Sequence, residues 1–254
     1  MSNEIRYGKA DVLTEHVQMR VGDGTVMGGY LARPAGLEAG PAVLVAHELF
    51  GVTAHVRDVC ERLAGRGYVA LAPDFYHRAG AGAELPHDPG GRERGFGLLR
   101  GLGRDGTLAD AAAGYGFLTE RGSERIGVVG LSLGGHIAYL AATALPFAAV
   151  VAAYPGWLAG TEIGLSQPAA TLTLTAGIRG RVLVLIGDAD HAISGTERDA
   201  IDGALATAGV PHEVVTYPGV AHGFLCDRRD TYDAAASKDA WARIDGLLDG
   251  ALRP

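Results

Sequence analysis

The stretch Arg125-Ile126-Gly127-Val128-Val129-Gly130-Leu131-Ser132-Leu133-Gly134-Gly135 decides the fold. Ile126 to Gly130 is a short apolar run, the pattern of a strand covered on both faces. No linker follows it. The chain passes into a glycine-rich turn with Ser132 at its apex, and helical spacing follows from Ile137 to Ala144. Gly130-Leu131-Ser132-Leu133-Gly134 fits G-x-S-x-G, the sharp strand-to-helix turn that lifts a serine hydroxyl above a sheet. Side chains two residues before or after the serine would strike the neighbouring strand and helix, hence the glycines. Six serines and 39 glycines in 254 residues give about 0.14 chance matches, so the flanking strand and helix carry the argument.

Outward from this turn, strand and helix patterns alternate. His16–Val21 and Val26–Arg33 read as an opening hairpin around Gly-Asp-Gly. Ala42–Ala46 reads as a buried strand, and Thr53 opens a helix with Val56, Val59, Cys60 and Leu63 on one face. Tyr68–Ala72 is the next strand. From His77 to Gly106, nine glycines and two prolines predict a long irregular excursion, either a lid or a surface insertion. A helix is expected over Leu108–Thr119. After the elbow come a buried helix (Gly135–Leu145), a strand (Ala148–Tyr154) and a Thr-rich connector (Leu158–Gly180). Arg181–Ile186 is a strand, Thr196 opens a helix, His212–Tyr217 is the last strand and Tyr232–Leu248 the last helix. The alternation predicts an α/β fold with a mostly parallel, doubly wound sheet, built as a single domain over 1–254.

Composition narrows the function. A net charge of −7 argues against nucleic acid or an anionic membrane as partner. Ile137–Thr161 is uncharged, but Pro146 and Pro155-Gly156 divide it, so no membrane span is expected. Cys60 and Cys226 make no disulfide framework, and Met1 to Lys9 has no apolar leader, which together predict a cytoplasmic protein.

A serine nucleophile needs a base in contact and an acid to orient that base. In the chain order Ser, acid, His, the candidates are Asp188 or Asp190 after the Arg181–Ile186 strand, and His222 after the last strand. Strand-end spacing leaves the two aspartates open. His191 adjoins the acid too closely to serve, and His136 reads as a core histidine of the elbow helix. The N–H of Leu133 is one oxyanion donor, and the second falls at Glu48 or Leu49. Three other patterns fail. Gly101-Leu102-Gly103-Arg104-Asp105-Gly106 has the dinucleotide fingerprint without a preceding strand. His47-Glu48 lacks the second zincin histidine, and Asp188-x-Asp190 lacks the rest of a calcium loop.

Six segments in order resemble the dienelactone hydrolase family of α/β-hydrolases: His47-Glu48-Leu49-Phe50-Gly51, Ala72-Pro73-Asp74-Phe75-Tyr76, the elbow, Tyr154-Pro155-Gly156, Gly187-Asp188-Ala189-Asp190, and Tyr217 to Phe224. The resemblance implies a triad of Ser132, Asp190 and His222, with Leu133 and Leu49 as the oxyanion hole. It also implies Glu48, Arg78, Tyr154 and Phe224 at the substrate, a small ester or lactone. It implies no metal or organic cofactor, no nucleic-acid or membrane partner, and a monomer or homodimer. Two positions depart from the family pattern. Ser132 stands where cysteine is familiar, and Cys226 stands where a second substrate-binding arginine is expected, with Arg228 and Arg229 the nearest basic residues. An acyltransferase, a peptidase or a non-catalytic binding module on the same fold are the alternatives; ester turnover and transfer to an added alcohol or amine separate them.

Overall fold

The computed structural model describes residues 11–253. Met1 to Lys9, on which the expectation of no leader rests, lies outside them. The described strands are β1 (Val12–Arg20), β2 (Val26–Pro34), β3 (Ala42–Ala46), β4 (Val69–Pro73), β5 (Ile126–Leu131), β6 (Ala149–Ala153), β7 (Arg181–Gly187) and β8 (His212–Tyr217). They form one sheet in the order β1-β2-β4-β3-β5-β6-β7-β8. β1–β2 and β2–β4 pair antiparallel, and every later pairing is parallel. The helices are α1 (Ala54–Ala64), α2 (His77–Gly80), α3 (Pro89–Leu99), α4 (Arg104–Glu120), α5 (Leu133–Ala142), α6 (Gly195–Thr207) and α7 (Ala234–Leu252).

From β3 to β7 every strand residue except Arg181 is buried, because helices cover both faces of the sheet. That double cover is why these strands read as unbroken apolar runs. β1 is an edge and alternates less cleanly; exposed Thr14, Glu15, His16, Gln18 and Arg20 keep it from templating another strand. The chain steps one way from β3 to β4 and the other way from β5 onward. Right-handed crossovers in opposite directions put helices on opposite faces. Two glycines of β5 mark the faces. A Cβ on Gly127 would lie 3.2 Å from Leu248 and Leu252 of α7, and one on Gly130 would lie 2.7 Å from Ala138 of α5. α1 shares the α7 face, with the Arg62 guanidinium 4.0 Å above the Trp241 ring. The carboxyl ends of β3 and β5 meet at the switch in direction, where open α/β sheets bind ligands.

The His77–Gly106 excursion is not irregular: it holds α2, α3 and the start of α4. Asp88 caps α3 by accepting from the Gly91 N–H at 2.7 Å, and Pro89 opens the helix. Its glycines mark close approach rather than slack, since a Cβ at Gly95 would lie 2.8 Å from the Leu49 carbonyl oxygen. Tertiary contact overrides weak helix propensity here. The Leu158–Gly180 connector likewise folds into short 3₁₀ turns at Gly164–Ser166 and Thr171–Gly177. Two of its threonines, Thr171 and Thr175, face α5, where the Tyr139 and Thr175 hydroxyls bond at 2.7 Å. The uncharged Ile137–Thr161 stretch is divided between α5 and β6, and no helix among the described residues is long and apolar enough to cross a membrane.

Candidate active site

Ser132 joins β5 to α5 at φ 56° and ψ −116°. A non-glycine residue held there stores about 1–3 kcal/mol and persists only where its surroundings impose it. The surroundings here are backbone. The Ser132 N–H donates to the Ala153 carbonyl at 3.0 Å, and the Ser132 carbonyl accepts from Gly135 at 2.8 Å. A Cβ on Gly130 would lie 1.9 Å from the Gly134 carbonyl oxygen, and one on Gly134 would lie 2.0 Å from that of Ala46. The turn closes this tightly only with hydrogen at both positions.

Two loops bring the partners. His222, five residues after β8, sets Nε2 2.8 Å from Ser132 Oγ and Nδ1 2.7 Å from Asp190 Oδ2. A carboxylate only accepts, so Nδ1 carries the proton and the Nε2 lone pair faces the serine hydroxyl. Asp190 Oδ1 accepts from the Ala192 N–H at 2.8 Å, which holds the carboxylate in place. Asp188 points elsewhere, accepting from the Gly219 N–H at 2.6 Å and bracing the turn before His222. These contacts separate the two aspartates that strand-end spacing leaves open. The His191 ring lies edge-on to His222 at 5.9 Å.

His136 is a core residue. Its Nδ1 donates to the Gly156 carbonyl at 2.9 Å, and its Nε2 accepts from the Thr171 hydroxyl at 2.8 Å. Burial lowers its pKa from 6.5 to about 4. Between those values the unfolded chain takes up a proton that the folded chain refuses. Acidification across that window therefore costs the fold roughly 3 kcal/mol through this residue, stability that is fully present above pH 6.5. Urea melts of His136→Gln should show a flatter acid limb than the parent chain; an equal slope would refute the buried neutral state.

The loop after β3 faces the elbow. His47 Nδ1 donates to the Glu48 carbonyl at 2.7 Å. In a trans peptide the Glu48 C=O and Leu49 N–H point opposite ways, so this bond also orients the Leu49 N–H. Tyr76 donates to the Leu49 carbonyl at 3.0 Å. Leu133 opens α5, at the positive end of the helix dipole, where its N–H has no carbonyl four residues back in the helix. Neither the Leu49 nor the Leu133 amide has an acceptor among the described residues.

Residues 27–251 match the model of the dienelactone hydrolase family. The chain belongs to that family. It is 36% identical over 233 residues to a Synechocystis protein named "Putative carboxymethylenebutenolidase", covering 89% of this chain and 92% of the relative. A solved Klebsiella pneumoniae structure, "Putative Dienelactone Hydrolase", superposes with TM-score 0.84 at 29% identity, covering 93% of this chain and 98% of that one. A cold-adapted esterase from an Arctic intertidal metagenomic library, with TM-score 0.71, 22% identity and full coverage of both chains, shows the same fold. The protein is thus a hydrolase of the ester- and lactone-cleaving class.

Within this dienelactone hydrolase family member, the other expected substrate residues fare unequally. The Tyr154 ring stacks edge-on to His222 at 5.0 Å and to Phe224 at 5.4 Å, and both Tyr154 and Phe224 are buried. The Tyr154 hydroxyl has no hydrogen-bond partner among the described residues, and burial, reinforced by the Glu48 charge, holds its pKa well above the ordinary value. Tyr154 is therefore a standing donor. Glu48 is fully buried; its Oε1 accepts from Arg229 Nη1 at 3.4 Å. Burial first, then Glu48, push the Cys226 thiol up to about 12.

Arg78 is engaged with two carboxylates from distant segments. Its guanidinium forks onto Asp110 at 2.7 and 2.8 Å and onto Asp23 at 2.8 Å. Asp110 is fully buried and also meets His77 at 3.0 Å, so Arg78 compensates a buried carboxylate. Its place in the sequence matches the family pattern, but the acids opposite it lie far along the chain and no local pattern records them. Arg78→Ala should destabilise by about 3 kcal/mol, the cost of stranding a buried carboxylate, with KM for esters unchanged. A raised KM in a fully folded variant would return Arg78 to the site. Arg229 supplies the cation beside Glu48 instead. His87, whose Nε2 lies 3.9 Å from Glu48 Oε2, has no signal in the sequence, because nothing in Pro86-His87-Asp88 sets it apart.

Proposed function

We propose that this chain cleaves small carboxylic esters or lactones through an acyl-enzyme on Ser132. The observation that supports it is the unbroken run from Ser132 Oγ through His222 to Asp190, at 2.8 and 2.7 Å. His222 takes the hydroxyl proton as Oγ attacks the carbonyl carbon. The carbonyl electron pair moves to oxygen, and the N–H groups of Leu133 and Leu49 donate to that oxyanion. The tetrahedral intermediate collapses, the alcohol leaves with the proton from His222, and a lactone keeps that alcohol tethered. Water, deprotonated by His222, then releases the acid. Asp190 stabilises the imidazolium in both halves. Glu48, Tyr154 and Phe224 wall the substrate, with Tyr154 as hydrogen-bond donor.

A fluorophosphonate tests this reading directly. It should add one label per chain, mapped by peptide mass to Ser132, and abolish ester turnover in proportion. A label on another residue, or turnover that survives complete labelling, would sink the assignment.

A further inference from the structure

Beside the hydrolytic centre, three side chains from separate segments converge: Glu48 after β3, His87 between α2 and α3, and Cys226 after β8. Their ligand atoms all lie within 4.8 Å of one another. The Glu48 side chain is 1% exposed, and its Oε2 has no hydrogen-bond partner among the described residues. His87 Nε2 also has none, although it stands 3.9 Å from that same oxygen. The gap exceeds any hydrogen bond. Two buried polar atoms that face each other without bonding call for an explanation, and a third species bonded to both supplies one.

We infer that Glu48, His87 and Cys226 form a binding site for a borderline-soft divalent cation of the Zn²⁺ class, with the fourth position left to water. Carboxylate oxygen, imidazole nitrogen and thiolate sulfur together make a zinc donor set, whereas Mg²⁺ and Ca²⁺ take oxygen ligands. Tetrahedral bonds of about 2.0–2.1 Å put oxygen and nitrogen roughly 3.3 Å apart, so a small swing of partly exposed His87 closes the site. On binding, the Cys226 S–H bond breaks, a metal–sulfur bond forms, and the proton passes to solvent; nothing is oxidised or reduced. Arg229 is the cation already facing Glu48, but it sits on Oε1 and leaves Oε2 open. Because Glu48 also walls the proposed substrate pocket, the bound cation should inhibit ester turnover. That consequence rests on the proposed function, while the binding itself does not.

The test is a titration of the purified chain with Co²⁺ and then Zn²⁺, which needs no activity to read. A single saturating Co²⁺ should give a near-ultraviolet thiolate-to-cobalt charge-transfer band, release a proton, and yield to Zn²⁺ but not to Mg²⁺ or Ca²⁺. Cys226→Ser should abolish the band. His87→Gln should weaken binding by at least the roughly 10–100-fold that loss of an outer partner costs. Circular dichroism checks that each variant folds; if Cys226→Ser does not, the His87→Gln affinity decides. Absence of saturable binding overturns the site, as does affinity unchanged in both variants. Loss of binding in His191→Gln instead would move the ion to His222 and Asp190 and equally overturn it. Binding without inhibition would leave the site standing and count against Glu48 as a substrate wall.

Discussion

Ser132→Ala should lower kcat/KM on a p-nitrophenyl ester by about 10⁴–10⁶-fold while the urea midpoint stays close to that of the parent chain. The side chain loses one oxygen and one hydrogen bond, the 2.8 Å contact to His222, and little else. The strained φ of 56° is imposed by the backbone around it, so alanine inherits it without a new penalty. Groups that act as a unit fail together, so adding His222→Ala to Ser132→Ala should cost almost nothing further. Asp190→Asn should cost about 10⁴-fold, because an amide donating to Nδ1 would hold the wrong tautomer. Asp188→Asn should leave turnover within an order of magnitude, since the Asp188 carboxylate bonds the Gly219 amide of the turn rather than His222. Equal losses at the two aspartates would contradict the geometry, and a Ser132→Ala variant at a tenth of parental activity would end the serine mechanism.

Gly134→Ala should destabilise the chain by about 3 kcal/mol or more and cut turnover of the remaining folded protein at least about 100-fold. The new Cβ would lie 2.0 Å from the Ala46 carbonyl oxygen, 2.4 Å from the Ala46 carbonyl carbon and 2.7 Å from the His47 carbonyl oxygen. All three atoms are backbone, so no rotamer change relieves the clash. Ala46 pairs with Gly130 in the sheet register, so the displaced segments are the two that present Leu49 and Ser132. The same substitution should have the opposite sign at Gly116, inside α4. There a Cβ meets nothing within 4 Å, and alanine should add about 0.5–1 kcal/mol through helix propensity. Urea melts of the two variants read both signs in one experiment. A Gly134→Ala chain that melts with the parent would show that the elbow has slack and that its glycines are not sterically required.

Much of the architecture is legible because the buried strands record their own environment. Ala42–Ala46 and Arg181–Ile186 read as strands because a segment covered on both faces has no polar positions to spare. Helix boundaries are less legible. α5 starts at Leu133, two residues before the expected Gly135, because the turn passes directly into the helix with Ser132 at its N-cap. α3 is hidden because its glycines read as breakers and outweigh the start signals of Asp88 and Pro89. At the site, Ser132 and His222 are legible from a turn motif and a strand end, both local features. His87 is not, because a histidine in a loop has no spacing that distinguishes a surface ring from one aimed at a buried glutamate.

The sequence by itself determined the alternation of strand and helix, the elbow, and the chain order in which a serine, an acid and a histidine arrive at one edge of the sheet. These follow from periodicity and glycine placement, which act over a few residues. The tertiary structure alone decided by contact that Asp190 rather than Asp188 meets His222, and that Arg78 is bound to Asp110 while Arg229 stands by Glu48. It also decided that Glu48, His87 and Cys226 come within 4.8 Å of one another. Those outcomes depend on where side chains from distant segments end, and Glu48 meets Arg229 across 181 residues of chain. No local pattern encodes a meeting at that separation; only the packed sheet and its loops bring it about.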